Sequence, residues 1–158
     1  MKKVLLIIGL GLSVAMQAQS YLHQVLILNE GYYDYNSATI VTPVTVGSYN
    51  PATQTYQEVS TISNMRFASD LVIEGNAYYV AADSKILKYD LNGHNLIAEV
   101  NCPGVRNIAV SQGKLIATRG EYLTTYDSYL HVYDPTSLQL IQALDTVTGP
   151  KWATQNIV

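Results

Sequence analysis

Leu130-His-Val-Tyr-Asp-Pro-Thr-Ser137 is one of three versions of a single phrase. Ile86-Leu-Lys-Tyr-Asp-Leu-Asn-Gly93 and Val46-Gly-Ser-Tyr-Asn-Pro-Ala-Thr53 are the others. Each runs a short apolar strand into Tyr-Asp or Tyr-Asn and then into turn residues. The tyrosines stand at 49, 89 and 133, so the spacings are 89 − 49 = 40 and 133 − 89 = 44. A period of about 40–45 residues made only of strands matches a four-stranded propeller blade. The phrase therefore predicts an all-β chain, folded as a β-propeller of four-stranded antiparallel blades.

Short β-rich runs recur on either side of the phrase, at Val25–Leu28, Asp70–Ile73, Ala77–Ala81, Lys85–Tyr89, Asn107–Val110, Lys114–Thr118, Tyr129–Tyr133 and Leu138–Ile141. Turn residues separate them, among them Glu74-Gly75-Asn76, Gln112-Gly113 and Asp134-Pro135-Thr136. Connections this short leave no room for crossover helices, so neighbouring strands must pair antiparallel. The predicted blade segments are about 24–61, 67–101 and 105–146, with a truncated blade from 150. The first lacks its inner strand, and Pro150–Val158 reads as the inner strand of the last. Three and a fraction blades do not close a ring, for which about four to eight are usual. The expectation is an incomplete, N-terminal portion of a longer propeller, with closure requiring further C-terminal blades.

The first eighteen residues read as a signal peptide and 19–158 as the propeller portion. Lys2-Lys3 precedes the apolar run Val4–Met16, and Gln17-Ala18-Gln19 offers a cut after Ala18. The run is shorter than the roughly 20 apolar residues of a membrane-spanning helix. Export to the periplasm or cell surface is expected, with no transmembrane segment after cleavage. Cys102 is the only cysteine, which excludes an internal disulfide and leaves none near the cut for lipid attachment. Loss of Lys2 and Lys3 leaves 7 basic against 12 acidic residues, a net charge of −5. No basic cluster remains, so nucleic acid is disfavoured as a partner.

Three phrases resemble the YncE-like (YVTN-type) bacterial β-propellers, in particular an exported Bacteroidetes branch. They are Leu26-Ile-Leu-Asn-Glu-Gly31, the strand ending in Tyr-Asp, and Gly75-Asn-Ala-Tyr-Tyr-Val-Ala81 echoed by Gly113-Lys-Leu-Ile-Ala-Thr118. The resemblance implies a seven-bladed ring that binds a small molecule or a cell-envelope protein partner. Corrinoid (cobalamin) binding is known in that branch and enters as one option. The chain's lack of a leader cysteine departs from the lipid-anchored members.

In such a ring, the loops before the inner strand and between the second and third strands crowd one face. Here they carry Arg66, Arg106 and the pair Lys151-Trp152, and the long connection Arg119–Ser128 adds Arg119, Glu121, Tyr122 and Tyr126. Arginine with aromatic groups suits an anionic or planar ligand. The alternative is that each arginine caps carbonyls or pairs with a nearby aspartate. Gly31–Ser37 reads as a tyrosine-rich contact loop or as a loop folded onto a sheet edge. Asp34 and Asn36 alternate as calcium ligands do, without the glycine and terminal glutamate of a helical calcium loop. His23, His94 and His131 lie apart and read as structural. No nucleophile, phosphate-loop or zinc motif is present, so no cofactor, metal or catalytic residue is expected. The leading reading is a non-catalytic binding scaffold. The alternative is a propeller enzyme, a lyase or hydrolase, with catalytic residues beyond residue 158.

Overall fold

The computed structural model describes residues 24–154 and 157; the expected signal peptide, 1–18, and His23 lie outside them. The described residues contain no helix and form thirteen strands. They are β1 (Val25–Asn29), β2 (Tyr32–Asp34), β3 (Thr39–Thr42), β4 (Val44–Asn50), β5 (Thr55–Ile62), β6 (Ala68–Glu74), β7 (Ala77–Ala82), β8 (Lys85–Asp90), β9 (Leu96–Asn101), β10 (Val105–Ser111), β11 (Lys114–Arg119), β12 (Ser128–Tyr133) and β13 (Leu140–Asp145). They pair antiparallel into four sheets, ordered β1-β4-β5, β2-β3, β6-β7-β8-β9 and β10-β11-β12-β13. The chain is all-β, with sheets of two to four strands.

The three larger sheets stack in chain order, and β7 accounts for the stacking. All six of its residues are buried, because both faces of the middle sheet are covered. Side chains alternate across a strand, so Tyr78, Val80 and Ala82 point one way and Ala77, Tyr79 and Ala81 the other. The first set packs with Val44, Val46, Ile62, Leu87 and Tyr89 against the β1-β4-β5 sheet. The second packs with Ile86, Cys102, Val105, Ile108, Leu115, Ala117 and Tyr133 against the β10–β13 sheet. Each buried Val, Leu or Ile among them stabilises the fold by roughly 1.5–3 kcal/mol. Tyr78 stacks on Tyr89 with ring centroids 5.1 Å apart, and burial pushes its hydroxyl pKa up to about 12.

Asp70 ties β6 to β10. Its Oδ2 accepts from the Ile108 amide at 2.8 Å and from Asn107 Nδ2 at 3.5 Å, while Oδ1 accepts from the Leu71 amide. The tyrosine of the repeated phrase is a packing residue and the Asp or Asn after it is a turn cap. Asn50 Oδ1 accepts from the amides of Ala52 and Thr53, Asp90 Oδ1 from Asn92 and Gly93, and Asp134 Oδ1 from Thr136 and Ser137. These are Asx turns, in which a short polar side chain takes the place of a backbone acceptor. Gly75 and Gly113 sit at φ +58° and +67° in the hairpins after β6 and β10, a backbone region that glycine enters without a Cβ penalty.

Three stretches differ from the sequence expectation. Gly31–Ser37 is part of a β2–β3 hairpin, whose turn is capped by Asp34 through the Asn36 amide and the Ser37 hydroxyl. The last strand begins at Leu140, not Leu138. Leu138 takes φ +58° and drops into the core, which delays the pairing by two residues. Residues 150–154 form no strand, and the rest of the expected inner strand falls largely outside the described residues.

Candidate functional site

Both β6 and β10 open with a register slip, between Ala68 and Asp70 and between Val105 and Ile108. A bulge of this kind re-aims side chains at the start of a strand. In β10 it lets Val105 and Ile108, three residues apart, both enter the core, and Arg106 with Asn107 is left facing outward. Ser69 is exposed by the equivalent bulge in β6. These residues line a cavity of about 730 Å³ with Tyr35, Arg66, Asp83, Glu121 and Tyr122. The volume falls in the range of small-molecule sites, about 300–1,000 Å³.

Within the cavity wall Arg66 is held by two carboxylates. Its Nε donates to Asp83 Oδ1 at 3.0 Å and Oδ2 at 2.9 Å, and its Nη2 pairs with Asp83 Oδ1. Glu121 Oε1 approaches Nη2 at 3.5 Å from the opposite side. The Asp83 carboxylate is the first cause of a raised Arg66 pKa, so the guanidinium is always charged. Phe67 lies beneath it, 5.5 Å from the guanidinium carbon. Asp83 is placed by the tight β7–β8 turn, where it adopts φ +51°.

Arg119 points the other way and is 8% exposed. Its Nε donates to the Pro103 carbonyl at 3.0 Å, and its Nη1 to the Ser128 carbonyl at 2.9 Å and to His131 Nε2 at 3.0 Å. Tyr126 stacks over the guanidinium at 4.1 Å and donates its hydroxyl to Glu121 Oε2 at 3.1 Å. Since arginine only donates, His131 must present a bare Nε2 and carry its proton on Nδ1, 2.9 Å from the Tyr133 hydroxyl. Burial, then the Arg119 charge, depresses the His131 pKa to about 4. Burial pushes the Tyr133 hydroxyl and the Cys102 thiol up. Arg119, Tyr126 and His131 thus brace the long connection against the sheet.

The structure groups the other expected residues around that connection. Glu121 and Thr124 bridge across a two-residue tip, leaving Tyr122 and Leu123 88% and 89% exposed. The tip separates the main cavity from a second hollow of about 490 Å³, lined by Arg106, Glu121, Tyr122, Leu123, Tyr129 and Trp152. Trp152 is tilted over Tyr129 at 6.2 Å, and Lys151 is exposed beside Tyr126 in a third, shallower hollow. Gly120 lets these walls close: a β-carbon there would stand 2.4 Å from Ala153 Cβ and 3.5 Å from Arg106 Cδ.

Of the sequence candidates, Arg66, Arg106, Glu121 and Tyr122 share the main cavity, and Trp152 joins Arg106, Glu121 and Tyr122 in the second. Arg119 and Tyr126 lie behind the wall, and Lys151 to one side. Asp83, Ser69 and Asn107 enter the cavity without having been singled out as ligands, and Tyr35 arrives from the Gly31–Ser37 stretch, expected as a tyrosine-rich contact loop or as a loop folded onto a sheet edge. The β2–β3 hairpin that delivers Tyr35 had no blade counterpart to align with. Asp83 carried a readable signal, an acid in the turn matching the long connection. Among the described residues no cluster of three metal-ligating side chains occurs, and no helix is long and apolar enough to cross a membrane. No family model matches the chain, and no curated protein matches it.

Proposed function

We propose that the chain is part of an exported, YncE-like β-propeller that works as a non-catalytic ligand-binding scaffold, with the Arg66–Arg106–Tyr122 cavity as its site. The propeller reading is supported by the stacking of like sheets and by a cleft of about 460 Å³ beside β1, lined by Leu26, Leu28, Ala68, Asp70 and Leu71. There, among the described residues, the first sheet has no inner strand of the kind that β6 and β10 supply to the others, and a further strand has room to pair. The binding reading is carried by one observation. Arg66, Glu121 and Tyr122 from two separate connections and Arg106 from the bulged start of β10 converge on one cavity, in which Arg66, Asp83 and Glu121 hold one another in place before any ligand arrives. Preorganised polar groups lower the ordering cost of binding. The packed tyrosines and turn-capping acids recur from sheet to sheet, which assigns them to the fold.

A thermal-shift screen of the full chain against corrinoids, haem, nucleotides, sugars and small organic acids tests the reading. Stabilisation by at least one ligand is expected, reduced in Tyr122→Ala and Arg106→Ala and retained in the distant Lys114→Ala. Stabilisation by none, or equal stabilisation of all variants, contradicts it. Export predicts a mature chain beginning at Gln19 in the exported fraction, read by intact mass; retention of residues 1–18 there contradicts export.

A further inference from the structure

We infer that the cavity takes a ring with a flat apolar face and a single carboxylate, with Arg106 as the anion-binding group; the inference rests on the proposed binding role of the site. The two arginines of the cavity differ in what already holds them. Arg66 faces Asp83 and Glu121, so that cluster of one cation and two anions carries a net charge of −1. Arg106 forms no side-chain hydrogen bond or ion pair among the described residues, although it lines both the 730 Å³ cavity and the 490 Å³ hollow. Its stem runs beside Gly120, which keeps it on the shared wall. A half-exposed guanidinium with open donors recognises a planar oxyanion bidentately.

The neighbouring charge sets the limit on the ligand. The excess negative charge around Arg66 opposes a dianion such as a phosphate monoester, whereas one carboxylate is met by Arg106 alone. The cavity also presents Tyr35, 70% exposed, and Tyr122, 88% exposed. Their rings are platforms on which an aromatic ring or the apolar face of a sugar stacks, and tyrosine does so at low cost in side-chain entropy. Asn107 and Ser69 add hydrogen-bonding groups on the rim. Aromatic acids and uronic acids share this chemistry.

The test measures dissociation constants by ligand-observed NMR on the full chain with benzoate against benzamide and glucuronate against glucose. The first pair reads the aromatic source and the second the sugar source. At least one acid is expected to bind about ten-fold more tightly than its neutral partner. Arg106→Gln brings that acid to the level of the neutral partner, and Tyr122→Ala weakens both. Glu121→Gln, which keeps an amide opposite Tyr126 and removes one negative charge, tightens acid binding about three- to ten-fold, a gain that a damaged fold does not produce. Neutral probes binding as well as the acids, and lost in Tyr122→Ala, overturn the charge class and leave the binding site standing. Acid binding unchanged in Arg106→Gln, or no acid binding up to about 10 mM, overturns the inference itself, while the wider thermal-shift screen judges the site separately.

Discussion

The sheets β6–β9 and β10–β13 share one plan and differ at one connection. Both begin with a bulged inner strand, turn at a left-handed glycine, bury a tyrosine against the preceding sheet and cap the next turn with an aspartate. Between their second and third strands they part. One makes the turn Asp83-Ser84, and the other runs from Gly120 to Asp127. The short turn supplies the carboxylate that grips Arg66 on its own sheet, and the long one supplies a second carboxylate that reaches the same Arg66 from the next sheet. What the two sheets share maintains the stack, and what they do not share builds the cavity wall.

The phrase in β4 extends the comparison. Tyr89 and Tyr133 are 5% and 2% exposed, each packed toward the preceding sheet. Tyr49 alternates with Val44 and Val46, so it faces away from the middle sheet and is only half-buried, near the exposed Val25 and Ile27. The same residue in the same phrase is less buried where, among the described residues, no further sheet lies over it.

The largest expected effect is on that contrast. Tyr133→Ala should cost about 3–5 kcal/mol of unfolding free energy and Tyr49→Ala no more than about half of that, read by urea denaturation. Equal losses would show that the two tyrosines do the same packing work. Arg119→Ala comes next, at about 2–4 kcal/mol, because it leaves the Pro103 and Ser128 carbonyls and His131 without their donor. Arg106→Ala should change stability by less than about 0.5 kcal/mol.

An effect smaller than that of Arg119→Ala depends on pH. His131 titrates near 4 in the folded chain and near its ordinary 6.5 when unfolded. The unfolded state therefore binds the proton first, and stability is full above about pH 6.5 and falls between about 6.5 and 4, by on the order of 1–3 kcal/mol. Asp34, Asp134 and Asp145, lowered chiefly by hydrogen bonds from their own turns, lose their contribution at lower pH, as it falls through and below their ordinary value of 3.8. His131→Gln should remove the step between pH 4 and 6.5 and leave the acid limb; a step that persists assigns it elsewhere. The smallest effect belongs to Tyr122→Ala, which at 88% exposure should leave the melting temperature unchanged.

Strand order and pairing were legible in the sequence because the Tyr-Asp phrase, the paired glycines and the strand periods each recur, and Asx side chains or left-handed glycines fix the turns beside them. The β2–β3 hairpin was not, since Tyr32 and Tyr33 interrupt the repeat and have no partner phrase to align with. The grouping of Arg66, Glu121 and Tyr122 followed from their places on loops, whereas Arg106, expected in the loop before the inner strand, lies within β10 at its bulge. The direction of each side chain did not. Arg119 ends β11 with its head among carbonyls, whereas Arg106 is turned outward by a bulge that only the pairing register reveals. Spacing along the chain places a residue on a loop, and burial of its neighbours decides which way it points.

The most direct test of the division between repeated and interrupted residues is amide chemical-shift mapping of the full chain with a small-molecule library. Shifts are expected to cluster at Tyr35, Arg66, Arg106, Glu121 and Tyr122 and to spare the turns at Asn50, Asp90 and Asp134. Shifts centred on those turns, or spread evenly over the sheets, would contradict it.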